Sequence, residues 1–222
     1  MYKKVVDLTH VFNGDVLPWP GMAGPKMEKV GSVKAGDACE ATVFTMSSHV
    51  GTHMDCQIHM MPYGYSTDTI DMGFFIGNGK AIDVRDKVHE VNGELELGMD
   101  CLDGVDLSDV DFLFFYLGWD KKWNTPEFYV GYPNINAALA EYLSKHPVVR
   151  GIGFETPGVD PVPRAGFDVH KIYLREKKTI VENLTNLDQL IGKEFTYIGL
   201  PLKLENGDGS PIRAVAVLKD ED

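Results

Sequence analysis

Three of the chain's seven histidines fall in one eleven-residue run, His49-Val50-Gly51-Thr52-His53-Met54-Asp55-Cys56-Gln57-Ile58-His59. An even spread would put roughly a third of one histidine there. Two imidazoles and a carboxylate are a common ligand set for a catalytic divalent cation, leaving positions open for water and substrate. If His49 to His53 makes one helical turn, the two rings share a face. If the chain then runs extended, His53 and Asp55 share a face, because side chains alternate along a strand. Gly51 and Thr52 let the backbone turn tightly between the histidines. His59, four residues past Asp55, falls close enough to serve as a base or a further ligand.

The ordinary reading of an isolated histidine is a core or surface residue. Four ligand-type residues at these spacings reverse it and point to a metal site. The pattern His-Glu-x-x-His is absent, since no Glu follows His49 or His53. A closed structural zinc site recruits thiolates, and Cys56 is the only cysteine nearby. A catalytic ion brings the pKa of bound water down to about 7 and so makes a nucleophile at neutral pH. His59 is then a candidate general base or a further ligand, an imidazole being suited to either near neutrality.

Farther along, His170 and Glu182 would not stand out by residue type. Ile180 and Val181 nevertheless make Glu182 a candidate for a pocket interior, where a carboxylate needs a cation or a hydrogen-bond partner. Trp19 is a candidate for contact with a planar substrate, while Phe44 reads as core packing.

These residues need elements to position them. Short apolar or alternating runs read as strands near Val5–Leu8, Ala41–Ser47, Lys80–Val84, Asp111–Leu117, Arg150–Phe154, Thr179–Glu182, Phe195–Leu202 and Ile212–Leu218. Ala41–Ser47 is expected to anchor the histidine turn. The spacing of Ile135, Ala138, Leu139, Tyr142 and Leu143 predicts a helix over Asn134–His146, stopped by Pro147. A shorter helix is expected around Val169–Arg175. The Gly and Pro density of Phe12–Lys34 reads as one long irregular loop carrying Trp19-Pro20-Gly21, and loops of that length are usually functional. Strands outnumber helices without strict alternation, so an α+β layered fold is expected, as a single domain over residues 1–222.

Composition narrows the partners. The 33 acidic and 21 basic side chains give a net charge of -12, and nine acids with no Lys or Arg lie between Lys87 and Lys121. That stretch reads as a solvated face. Such a surface repels phosphate backbones and anionic lipid, so nucleic acid and membranes are not expected partners. No apolar run is long enough to span a bilayer and no signal peptide opens the chain. Three widely spaced cysteines, Cys39, Cys56 and Cys101, suit reduced thiols and a cytoplasmic location.

The pattern His-x-Gly-Thr-His-x-Asp-x-x-x-His resembles the signature of the cyclase family of metal-dependent hydrolases. The resemblance runs along nearly the whole chain. Asp7-Leu8-Thr9-His10 with Trp19-Pro20-Gly21 is similar to the family's opening segment, and Leu117-Gly118-Trp119 to its central Thr-Gly-Trp. Glu155-Thr156-Pro157-Gly158-Val159-Asp160 is similar to its Asp-Thr-Pro-Ser-x-Asp. His170, Glu182-Asn183-Leu184, Asn186-Leu187-Asp188-Gln189-Leu190 and Gly209-Ser210-Pro211-Ile212-Arg213-Ala214 follow in family order.

The resemblance implies a swivelling β/β/α layered domain, a small-molecule substrate and a homodimer or homotetramer. It implies that His49, His53 and Asp55 hold a first divalent metal and that His59 acts at the scissile bond. His170 and Glu182 would line the same site, holding a second ion with Asp55 bridging in two-metal members. Zinc is the leading ion, with manganese or iron open. The implied reaction is hydrolysis of an amide-type C–N bond, in an aryl formamide such as N-formylkynurenine, hence a link to tryptophan catabolism, or in a cyclic amide such as isatin. Gln57, Leu117 and Glu155 depart from the family's usual Pro, Thr and Asp. The first two are expected to reshape the wall around His59.

Two other classes remain open from the residues. His53-x-Asp55 with a distant His170 imitates the two-His-one-carboxylate triad of a non-haem Fe(II) oxygenase, although that leaves His49 and His59 without a role. A metal- or ligand-binding relative without turnover would have no need of His59.

Overall fold

The computed structural model describes residues 4–161 and 166–219. In its N-terminal half lie β1 (Val5–Asp7), β2 (Lys26–Gly31), β3 (Ala41–Thr45), β4 (His53–Asp55) and β5 (Ile76–Asp83). Then come β6 (Val88–Val91), β7 (Glu94–Leu97), β8 (Phe112–Tyr116), β9 (Asn134–Ile135), α1 (Ala137–Lys145) and β10 (Gly151–Phe154). The C-terminal part holds α2 (Asp168–Tyr173), β11 (Thr179–Glu182), β12 (Phe195–Leu200), β13 (Gly209–Pro211) and β14 (Arg213–Leu218).

Nine of these strands form one mixed sheet in the order β1-β14-β12-β5-β8-β10-β11-β4-β13. Its middle is parallel, β5 to β8 to β10 to β11, and its flanks are antiparallel. Parallel strands are covered on both faces, which is why β8 reads Phe-Leu-Phe-Phe-Tyr without a polar break. Its side chains alternate between two cores: Phe112, Phe114 and Tyr116 enter one with Met54, Val181 and Tyr197. Leu113 and Phe115 enter the other with Ile152, Leu139, Leu143, Val169 and Tyr173, so α1 and α2 cover that face. The architecture is α+β, with few helices against a mixed sheet.

The boundaries of α1 follow from capping. Asn136 accepts a hydrogen bond from Leu139 N at 3.0 Å, so the helix starts after it. Asn134 and Ile135, expected in the helix, instead pair with β7. Tyr142, placed on the apolar face by spacing, is 43 % exposed, while Leu139, Ala140 and Leu143 are buried.

Three other expectations are corrected. Phe12–Lys34 is not wholly irregular, because it contains β2. Among the described residues that strand pairs only with β3, as a two-stranded ribbon outside the main sheet, so β3 does not anchor the histidine turn. The anchor is β4 itself. Phe44, on β3, is 56 % exposed and packs in neither core. Within the acidic stretch the chain forms a β6–β7 hairpin whose turn, Asn92-Gly93, takes positive φ at both residues. None of the nine acids is buried, as a solvated face requires.

Candidate metal and active site

Strand β4 lies between β11 and β13, antiparallel to both. Met54 enters the core, so His53 and Asp55 project to the opposite face. Register places Glu182 opposite His53. His170 enters from α2, and His59 from a short 3-10 turn, Gln57–His59.

His49 precedes β4 in a bend, not in a helical turn. Gly51, at φ +67°, makes the reversal that brings the His49 and His53 rings edge to face, 5.3 Å apart. The site needs a second glycine. A Cβ at Gly209 would lie 2.6 Å from Met54 O and 2.7 Å from His49 Cε1, so only glycine lets the imidazole rest on β13.

Asp55 is the hub. Its Oδ1 is 2.6 Å from His49 Nδ1 and 3.4 Å from His53 Nε2, and its Oδ2 is 3.5 Å from His170 Nε2. Glu182 spans the same pair, with Oε2 3.3 Å from His53 Nε2 and Oε1 3.1 Å from His170 Nε2. The outer nitrogens fix the rings. His53 Nδ1 donates to Gly51 O at 2.9 Å, and His170 Nδ1 donates to Asp160 Oδ2 at 2.6 Å. Asp160 also accepts from the backbone N of Val169 and of His170, both at 2.9 Å, and thereby holds the start of α2.

Two buried carboxylates, Asp55 and Glu182, meet here with the inner nitrogens of buried imidazoles. A buried anion pair demands positive charge. Burial pulls the His53 pKa down, but hydrogen bonds to Asp55 and Glu182 and their charge outweigh it and raise it to about 10. Burial likewise opposes the charge of His49, which Asp55 and Asp208 raise to about 9. Burial raises Asp55, and the three histidines override it and hold the carboxyl well below its usual range.

The donor set fits a divalent cation. Ligand atoms of His53, Asp55 and Glu182 lie within 4.8 Å of one another, and so do those of His49, Asp55 and His59. The outer hydrogen bonds of His53 and His170 leave their inner nitrogens for a cation, a recurrent arrangement at metal sites.

Every site residue expected from the sequence comes to this place. A cavity of about 240 Å³ is lined on its polar side by His49, His53, Asp55, His59, His170 and Glu182. Trp19, Met22, Val50, Tyr129, Pro157 and Phe167 supply the apolar side. Trp19 meets Tyr129 edge-on at 6.2 Å and Phe167 at 6.0 Å. Its loop is tied down where Tyr129 Oη donates to Leu17 O and Leu17 N donates to Asn124 Oδ1, each at 2.7 Å.

The expected effect of two departures is corrected, since neither Gln57 nor Leu117 lines the cavity. Gln57 braces loops, donating to Arg175 O and accepting from Tyr65 N. Leu117 N donates to the Glu155 carboxylate at 2.8 Å.

Sequence reasoning missed Asp208, which lines the cavity with Oδ2 3.0 Å from His49 Nε2. It gave Asp160 no role. The signal for Asp160 was its place in the Glu155–Asp160 motif, ahead of His170.

Comparison with known proteins shows the family. A family model described as "Putative cyclase" matches residues 6–161. Kynurenine formamidase of Bacillus cereus (strain ATCC 10987 / NRS 248) is 32% identical over 217 residues, 95% of each chain. The crystal structure of an isatin hydrolase bound to the product analogue thioisatinate superposes with a TM-score of 0.83 at 25% identity, covering 98% of this chain and 93% of that one. Isatin hydrolase A from Labrenzia aggregata, bound to benzyl benzoate, gives 0.82 at 27% identity, with 98% and 94% covered. By sequence and by fold, the chain belongs to the cyclase family.

Proposed function

We propose that this chain is a metal-dependent hydrolase cleaving a non-peptide amide C–N bond, in an aryl formamide or in a cyclic amide. One observation carries the reading: two buried carboxylates and the inner nitrogens of His53 and His170 converge beside an aromatic-walled cavity that also holds His59. The relatives named above, a formamidase and two isatin hydrolases, support that class of bond.

His53, Asp55, Glu182 and His170, with His49 on the other flank of Asp55, would hold one or two ions. Zinc is the first choice, with manganese or iron next, because imidazole and carboxylate suit all three. When bound, the ion supplies Lewis-acid polarisation of the carbonyl and an acidified water.

The chain's own residues do the rest. Trp19, Tyr129 and Phe167 present ring faces and edges to a planar substrate and exclude bulk water from one side of the cavity. His59, a quarter exposed on the polar side, takes the proton of the attacking water. The same imidazole then returns it to the leaving nitrogen as the C–N bond breaks, so that an aryl formamide yields an amine and formate, and a cyclic amide opens to one product bearing both amine and carboxylate. The protein works as a homodimer or homotetramer in the cytoplasm on this reading, and no described helix is long and apolar enough to cross a membrane.

The test is direct. Protein loaded with zinc or manganese is given N-formylkynurenine, formanilide and isatin, and formate release or ring opening is followed. Turnover of at least one that stops on chelation and returns with metal is expected. No turnover of any of the three with either metal, alongside oxygen uptake with Fe(II), overturns the hydrolase reading.

A further inference from the structure

We propose that Asp208 is a positioning residue for two imidazoles at once, holding His49 and His59 each in a single ring orientation and tautomer. For His59 this deepens the hydrolase reading and rests on it. For His49 it stands on geometry alone.

Asp208 is an acid on a loop, and the ordinary expectation for such a residue is hydration. Its surroundings differ from that. One oxygen, Oδ2, lies 3.0 Å from His49 Nε2 and 3.8 Å from His59 Nδ1. The two rings lie against each other, centroids 3.9 Å apart and planes tilted by 33°.

The backbone holds this carboxylate in place. Cys56 N donates to Asp208 O at 2.9 Å, and Thr67 N donates to the preceding Gly207 O at 3.0 Å. The next residue, Gly209, is the position whose missing Cβ leaves room for the His49 ring. Asp208 and Gly209 thus make a seat, one bonding the outer edge of His49 and the other clearing space for its face.

The chemistry follows from which nitrogen each carboxylate meets. With Nε2–H of His49 donated to Asp208, Nδ1 keeps its lone pair toward Asp55 2.6 Å away, the side on which an ion is held. For His59, Nδ1 is the nitrogen that faces Asp208. A closure of about 1 Å makes Nδ1–H···Oδ2 a hydrogen bond and leaves Nε2 as the basic nitrogen. Carboxylates hold catalytic imidazoles in one tautomer by the same means elsewhere.

The experiment reads the rings directly. Zinc-loaded protein labelled with 15N-histidine is examined by long-range 1H–15N correlation at about pH 8, as wild type, Asp208→Ala, Asp208→Asn and Asp208→Glu. Wild type is expected to show His49 protonated at Nε2 and His59 at Nδ1. Asp208→Ala should give mixed tautomers for His59 and zinc affinity lower by roughly 10–100-fold. Its kcat should fall by a similar factor with KM within about threefold, and Asp208→Glu should restore most of the loss. Asp68→Ala is the control for loop loosening: Asp68 accepts from Asn206 N on the same loop and touches neither histidine. Wild-type His59 tautomer in both Asp208→Ala and Asp208→Asn overturns the proposal, as does an equal loss of kcat in Asp68→Ala. If wild type hydrolyses nothing, the hydrolase reading fails, and the spectra still decide what Asp208 does.

Discussion

Glu182 and His53 stand directly opposite each other where β11 pairs with β4, with Glu182 Oε2 3.3 Å from His53 Nε2. Strand pairing, not sequence proximity, makes them neighbours. Glu182→Gln keeps the shape and removes the charge. Metal affinity should fall by at least about tenfold, as loss of a ligand or of a ligand's partner does. Titration of the variant with zinc checks it, and wild-type affinity would return Glu182 to a purely structural place.

Asp55 faces imidazoles on both of its oxygens, so its loss should be more damaging than that of any one histidine. Asp55→Ala should carry almost no metal by elemental analysis, while His49→Ala retains part. Because an ion held only by the folded state stabilises it by mass action, chelation of wild type should lower Tm. Free ion at a hundredfold over Kd corresponds to about 2.7 kcal/mol. A Tm unmoved by chelation contradicts this.

His59→Ala separates chemistry from metal binding. Metal content should stay near that of wild type while kcat falls by roughly 10²–10⁴-fold. If metal leaves with the activity, His59 is a ligand. If kcat stays within about threefold, well short of a general base's worth, His59 only lines the cavity.

Glu155 has no exposed surface, and its Oε1 has no hydrogen-bond partner among the described residues. Burial, with the charge of Asp120 adding to it, raises its carboxyl from 4.5 to about 8. Between those values the folded chain keeps a proton that the unfolded chain has lost, so stability should fall as pH rises through that window. Glu155→Gln should remove the slope and be more stable than wild type near about pH 9, by an amount on the order of a few kcal/mol, and so melt higher there. Identical pH profiles of Tm for the two proteins would refute it.

What could be read in the sequence was what is local. His49, His53, Asp55 and His59 crowd into one short run, and alternation alone placed His53 and Asp55 on one face. His170 and Glu182 gave almost no signal by residue type; the apolar neighbours of Glu182 hinted at a pocket, and the order of both within the family pattern drew them in. Asp208 gave none, because one acid among 33 is unremarked until folding sets it beside two rings. In the fold, β8 and β12 were visible because burial imposes apolar runs. Strand β2 was not, since Lys26-Met27-Glu28-Lys29-Val30-Gly31 is exposed throughout or nearly so and carries no burial pattern. Phe44 misled for the same reason: apolar character predicts burial only where a core is present to receive it.

Strand β4 is three residues long and is bordered by β11 and β13, two strands that lie far along the chain from it. During synthesis the histidine run therefore leaves the ribosome long before either neighbour exists. His53 cannot meet Glu182, nor can the His49 ring find its seat on Gly209, until those distant residues have themselves been made. The loops closed by these pairings are long, and such non-local contacts form slowly. Metal capture thus waits on residues far downstream of the histidine run, and a truncation before Gly209 removes the site as surely as deleting a ligand.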